Sequence, residues 1–225
     1  MLKKLDQAFP IEPIIEQVAA MPYFERYVQL NETDEGRLFN GPYRTKPEFV
    51  GTPLGDVLES LGNIGEARLL KLKAEESYMA HCDPDDRLHM SIITNEYCRI
   101  IDLEENQMYH LPVDGTVWLM NTGNVHVASN FGAHERIHLN IRVLLPDVKE
   151  GWVRFTVEGG DYDWKHIIQI SITRWMNRAL KEGKMTGIRK LTDREMLVNP
   201  RDQAAIDELV RVGEQAGFTI KTSTV

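Results

Sequence analysis

A mainly β protein, built on an antiparallel barrel or sandwich with helices around it, is what this sequence predicts. Three observations lead there. Between residues 66 and about 145, short apolar or alternating runs recur: ARLLKLK, RLHMSIIT, CRIIDL, QMYHLP, TVWLMN and RIHLNIRVLL. Turn chemistry separates them, as CDPDD, TNEY, EEN, VDG, NTGN and NFGAH. After residue 152 the apolar period lengthens to that of a helix. Strands this close together must pair antiparallel, because a parallel pair needs a crossover of about a dozen residues or more.

The elements follow in order. IEPIIEQVAAM near the N-terminus has helical spacing, and residues 31–56, rich in Gly, Pro, Asn and Thr, read as a long loop with short strands. The β core occupies 66–145. Beyond it, DWKHIIQISITRWMNRALKEGK carries a helical apolar stripe that Gly183 stops, and DQAAIDELVRVGEQAGF is a second amphipathic helix ending at Gly217. The expected organisation is a β domain over 1–150, with its N-terminal helix and loop, and a helical module over 151–225.

Composition limits the function. The 225 residues carry a formal charge of −8, with 42% hydrophobic and 27% charged residues. That is a globular composition without the basic face that nucleic acid requires. The N-terminus has no apolar core run of a signal peptide, and no stretch approaches the roughly 18 apolar residues of a membrane span. Two cysteines, Cys82 and Cys98, argue against a disulfide scaffold. A cytoplasmic protein without nucleic-acid or membrane partners is expected.

The chemistry concentrates in HCDPDDRLHMSI, residues 81–92. A lone His-x-Asp is a weak signal, and its commoner meaning is a polar turn opened by Asp83-Pro84. Residues i and i+2 of an extended segment nevertheless project to the same side, so His81 and Asp83 can share one metal. A non-haem iron site takes two imidazoles and one carboxylate on one face of the ion and leaves the other positions open. His110, His126, His134 and His138 are the downstream candidates for the second imidazole. His126 follows a strand and a tight turn, where a residue at a barrel rim would sit. His110 precedes a Pro-x-Asp-Gly turn, His134 lies in a loop and His138 alternates within a strand. Along RIHLNIRV, Arg136, His138, Asn140 and Arg142 share one face and Ile137, Leu139, Ile141 and Val143 the other. Arg87, His89 and Ser91 share a face in the same way. The commoner reading of such a polar face is a solvated one.

His81-x-Asp83, RLHMSI, VWLMNTGNVHVASN and Arg136 in ERIHLNI, in that order, resemble the aspartyl/asparaginyl β-hydroxylase family of Fe(II)/2-oxoglutarate oxygenases, and more narrowly its bacterial cis-proline hydroxylase branch. The resemblance covers residues 66–145. It implies a double-stranded β-helix (a jelly-roll, cupin-like core). It further implies His81, Asp83 and His126 as catalytic iron ligands and Arg136 as the partner of the distal carboxylate of 2-oxoglutarate. Arg87, His89 and Ser91 would lie along the cosubstrate. Animal aspartyl hydroxylases lack the carboxylate ligand, so Asp83 favours the small-molecule branch. The family's serine on the strand before the first histidine has no counterpart in RLLKLK. The implied activity is hydroxylation of an unactivated C–H bond of an amino acid or amino-acid residue, with 2-oxoglutarate converted to succinate. The alternative is a non-catalytic, metal-containing cupin-type binding protein, which would have no need of Arg136. The partner is expected to be a small molecule or peptide, with a homodimer as the assembly to test.

Overall fold

The computed structural model describes residues 2–33, 42–83, 85–144, 151–158, 175, 178–180, 182–190, 195–215 and 217–224. In chain order its strands are β1 (Leu2–Ala8), β2 (Tyr27–Gln29), β3 (Asn31–Glu32), β4 (Arg44–Thr45), β5 (Ala67–Leu72), β6 (Glu76–Ser77), β7 (Arg87–Ile93) and β8 (Cys98–Asp102). There follow β9 (Gln107–Tyr109), β10 (Thr116–Met120), β11 (His126–Asn130), β12 (Arg136–Arg142), β13 (Val153–Glu158), β14 (Met185–Lys190), β15 (Glu195–Pro200) and β16 (Thr219–Thr224). The helices are α1 (Ile11–Ala20), α2 (Pro53–Leu61) and α3 (Gln203–Gln215). Two compact units result. One comprises residues 1–80, 86–121 and 126–144, the other 81–85, 122–125 and 145–225.

The first unit is a jelly roll. From β5 to β12, apart from the β8–β9 hairpin, the chain alternates between two antiparallel sheets: β5, β7, β10 and β12 enter a six-stranded sheet ordered β1-β10-β7-β12-β5-β2, while β6, β8, β9 and β11 form a four-stranded sheet ordered β6-β11-β8-β9. Alternation of consecutive strands between two sheets is the double-stranded β-helix that the motif order implies. Ile137, Leu139 and Ile141 of β12, with Met90 and Ile92 of β7, pack in the main core with Ile14 and Val18 of α1 and Leu54 and Val57 of α2. The helices therefore cover the outer face of the larger sheet. Thr52 caps α2, accepting from the Gly55 N–H, and Pro53 starts the helix.

The opposite face of β12 is polar and equally buried. Arg136, His138, Asn140 and Arg142 are all at most 8% exposed. The solvated reading of this face is thus corrected. Both faces of the strand are interior, one against helices and one toward the smaller sheet.

The helical expectation for the C-terminal module also needs correction. The described part of the second unit after residue 150 holds a four-stranded antiparallel sheet, β14-β15-β13-β16, and the 13-residue α3. Every neighbouring pair is antiparallel, and helical residues Trp175 and Arg178–Leu180 lie between β13 and β14. That order is a split βαβ arrangement of ferredoxin-like type. In VRFTVE, Val153, Phe155 and Val157 are buried and alternate with half-buried polar residues, a period of two. The helix expected over 203–217 is α3; most of the one expected over 163–184 lies outside the described residues.

Candidate metal and cosubstrate site

Two turns carry the metal-ligand candidates. The Asp83 N–H donates to the Thr122 carbonyl at 2.9 Å, and the Thr122 hydroxyl donates to the Asp85 carbonyl at 2.6 Å. These bonds tie the segment after β6 to the turn after β10. That turn runs directly into His126, the first residue of β11, whose cross-strand partner is the buried Asp102 of β8. One ligand atom from each of His81, Asp83 and His126 lies within 4.8 Å of the others. His81 Nε2 and Asp83 Oδ2 are 3.8 Å apart. Two atoms each bonded to one ion at about 2.1 Å are at most roughly 4 Å apart, so this pair already has the span of a shared ion. His134, in its loop, is exposed, and neither it nor His138 belongs to this group.

The candidate cosubstrate wall is formed by β7 and β12. Their register sets Arg87 opposite Arg142, His89 opposite Asn140 and Ser91 opposite His138. Side chains of directly paired residues share a face, so these six form one polar patch. Asn140 Nδ2 and His89 Nε2 are 3.0 Å apart. Ser91 is 1% exposed, and its hydroxyl has no hydrogen-bond partner among the described residues.

The two arginines of β12 differ in their company. Arg142 donates from Nε to Glu66 Oε2 at 3.0 Å, a buried ion pair. Arg136 is equally deep, yet no carboxylate of the described residues pairs with it. Its contacts are with His138: Nε lies 3.0 Å from the ring Nε2, and Nη2 lies 2.7 Å from Nδ1. Burial lowers the Arg136 pKa to about 10, partly offset by Cys98 and Tyr78 nearby. Burial, and then Arg136, His89 and His110, hold His138 well below its ordinary value. Cys98 lies on β8, in the smaller sheet, so Arg136 points into the roll.

Comparison with known proteins follows this geometry. Residues 53–146 match the family model described as Aspartyl/Asparaginyl beta-hydroxylase. This segment, less than half of the chain, is similar to that family. It takes in α2, every strand from β5 to β12, and all seven residues of the candidate site. No curated protein matches the chain. Among solved structures, an oxidoreductase of the 2OG-Fe(II) oxygenase family from Burkholderia pseudomallei aligns at 11% identity and a TM-score of 0.43. That alignment covers 57% of this chain and 76% of the other. The viral collagen prolyl hydroxylase of Paramecium Bursaria Chlorella virus-1, in its 2OG complex, aligns at 13% identity and a TM-score of 0.43, covering 64% of this chain and 96% of the other.

Sequence reasoning placed Arg136 and His138 on one face but missed their contact. It also overlooked Asp102 behind His126. The signal for the first was the i, i+2 spacing in RIH. The second depended on strand pairing, which spacing does not reveal.

Proposed function

We propose that this protein is an Fe(II)/2-oxoglutarate-dependent hydroxylase. His81, Asp83 and His126 hold the iron, and Arg136 pairs with the distal carboxylate of 2-oxoglutarate. Arg87, His89 and Ser91 line the cosubstrate between those ends. The observation that carries the reading is the presence of both a two-imidazole, one-carboxylate cluster and a fully buried guanidinium that meets no acid among the described residues. A buried cation without a counter-ion is costly, and the distal carboxylate of a bound dicarboxylate would remove that cost. The donor set suits non-haem iron. When bound, iron and 2-oxoglutarate supply oxidative decarboxylation, to succinate and carbon dioxide, coupled to hydroxylation of a C–H bond.

The chain's own residues hold and orient. His81, His126 and Asp83 would hold the ion through imidazole nitrogens and a carboxylate oxygen. The apolar outer face of β12 fixes the strand on which Arg136 sits, so the guanidinium is placed before the ligand arrives. The substrate class included in this reading is an amino acid or amino-acid residue of proline or Asp/Asn type, with the cis-proline branch as its narrower form.

The test is substrate-stimulated succinate formation across a panel of free amino acids and short peptides, with Fe(II) and 2-oxoglutarate supplied. Stimulation by at least one member, lost in His126→Ala, is the expected result. Metal binding with no succinate from any member would leave a metal-containing binding barrel as the better account.

A further inference from the structure

We propose that His138 is a positioning residue for the cosubstrate: its neutral imidazole holds the Arg136 guanidinium through one hydrogen bond and leaves the remaining donors for the distal carboxylate of a 2-oxo acid. This inference rests on the oxygenase reading and deepens it.

The argument begins with donors and acceptors. Arg136 brings two N–H groups to one ring, Nε to Nε2 at 3.0 Å and Nη2 to Nδ1 at 2.7 Å. A neutral imidazole accepts at only one nitrogen, because the other carries the proton. One of the two contacts is therefore a hydrogen bond, and the other sets N–H against N–H. An anion at the guanidinium relieves that mismatch, since an Nη donor can turn to it while the other bond holds. A protonated ring would have no acceptor and would repel the arginine.

The surroundings keep the ring neutral. His138 is fully buried, and the groups among the described residues whose charge acts on it are bases: Arg136 on its own strand, His89 on β7 and His110 after β9. Alternatives for holding Arg136 are few. On β5 the residues opposite Arg136 and His138 are Leu72 and Leu70, which offer no side-chain acceptor. Ser91 of β7, opposite His138, presents on the same face a buried hydroxyl with no partner among the described residues. A buried hydroxyl opposite His138 and, on the same strand face, a guanidinium that meets no acid among the described residues are donors that a ligand's carboxylate can use.

The test uses the full-length Fe(II) protein under anaerobic conditions and follows the visible band of the 2-oxo acid chelate. Two probes are titrated: 2-oxoglutarate, and 2-oxobutyrate, which lacks the distal carboxylate. His138→Leu should weaken 2-oxoglutarate on the order of tenfold or more, the loss of one charged hydrogen bond. It should leave 2-oxobutyrate and Fe(II) affinity as in the unaltered protein. His138→Gln restores a neutral acceptor and should keep 2-oxoglutarate within about threefold. In an Arg136→Ala background His138→Leu should add nothing. A merely structural histidine would weaken both probes alike. That result, unchanged 2-oxoglutarate affinity in His138→Leu, or equal loss in the Gln and Leu variants, overturns the proposal. If His138→Leu does not fold, His138→Met replaces it in the same comparison. Failure of the unaltered protein to chelate either probe would overturn the oxygenase reading, and this proposal with it, and is distinguishable from every result above.

Discussion

Arg136 and His138 set the pH and ligand behaviour expected at the scale of single residues. Arg136→Lys keeps a positive charge but loses the planar two-pronged donor, so 2-oxoglutarate affinity should fall by about 1–3 kcal/mol. Fe(II) affinity should barely move, because Arg136 does not belong to the metal-ligand group. Anaerobic titration of both ligands checks this, and equal losses in the two would contradict it. His138 predicts a stability effect whose sign is fixed by linkage. Its folded-state pKa lies well below the ordinary 6.5. Below about pH 6.5 the unfolded chain takes up a proton that the folded chain refuses, so stability falls on acidification. This contribution, at most about 1.4 kcal/mol per pH unit for one proton, continues until the folded-state value is reached. Above pH 6.5 it vanishes. Denaturant unfolding from pH 7.5 to 5 should show a shallower acid loss in His138→Gln than in the unaltered protein. Parallel curves would mean that this imidazole does not resist protonation.

At the scale of elements, one close approach decides how β1 joins the roll. Gly115 has φ +74, and a Cβ there would lie 1.9 Å from the Phe9 carbonyl oxygen. Phe9 N–H donates to the Gly115 carbonyl at 3.0 Å, beside the Ala8–Thr116 pairing of β1 with β10. Gly115→Ala must strain φ and push backbone from backbone, so it should destabilise by about 1–3 kcal/mol in a thermal or denaturant melt. No loss would mean that β1 detaches at little cost. β1 was not legible in the sequence. LKKLDQA reads as charged and weakly patterned, and its pairing depends on the distant β10. α2 was hidden inside a Gly- and Pro-rich stretch, although Thr52-Pro53 is a cap followed by a first-turn proline. By contrast β5, β7, β8, β9, β10 and β12 all fall within runs marked by alternation, because a strand with one face in a core carries its period locally. His126 was placed by the turn before it, and β11 itself, HVASN, lacks a clear alternation. The C-terminal strands were masked by two helical stripes that dominate the periodicity. The polar interior of β12 could not be settled from its pattern, which is the same whether the polar face meets water or a second sheet.

At the scale of the whole molecule, a net charge of −8 encloses an interior patch holding Arg87, Arg136 and Arg142, with Glu66 as the partner of Arg142. Among the described residues no helix is long and apolar enough to cross a membrane. The proposed ligands come from separated segments: the turn after β6, the first residue of β11, and β12. On that proposal an ion or dicarboxylate that needs several of them would bind the folded chain in preference to the unfolded one. Such binding stabilises by mass action, about 2.7 kcal/mol at a ligand concentration one hundred times Kd. Fe(II), kept anaerobic, should therefore raise the melting midpoint. Adding 2-oxoglutarate to the Fe(II) protein should raise it further, and by more than 2-oxoglutarate does alone, because the cosubstrate then has both the metal and Arg136 to bind. In His126→Ala the rise with Fe(II) should disappear, and the excess effect of 2-oxoglutarate with it. In Arg136→Ala the Fe(II) rise should remain and only the 2-oxoglutarate increment should shrink. Strictly additive shifts from metal and cosubstrate in the unaltered protein would mean that the two occupy sites that do not communicate, and would separate Arg136 from the metal cluster functionally.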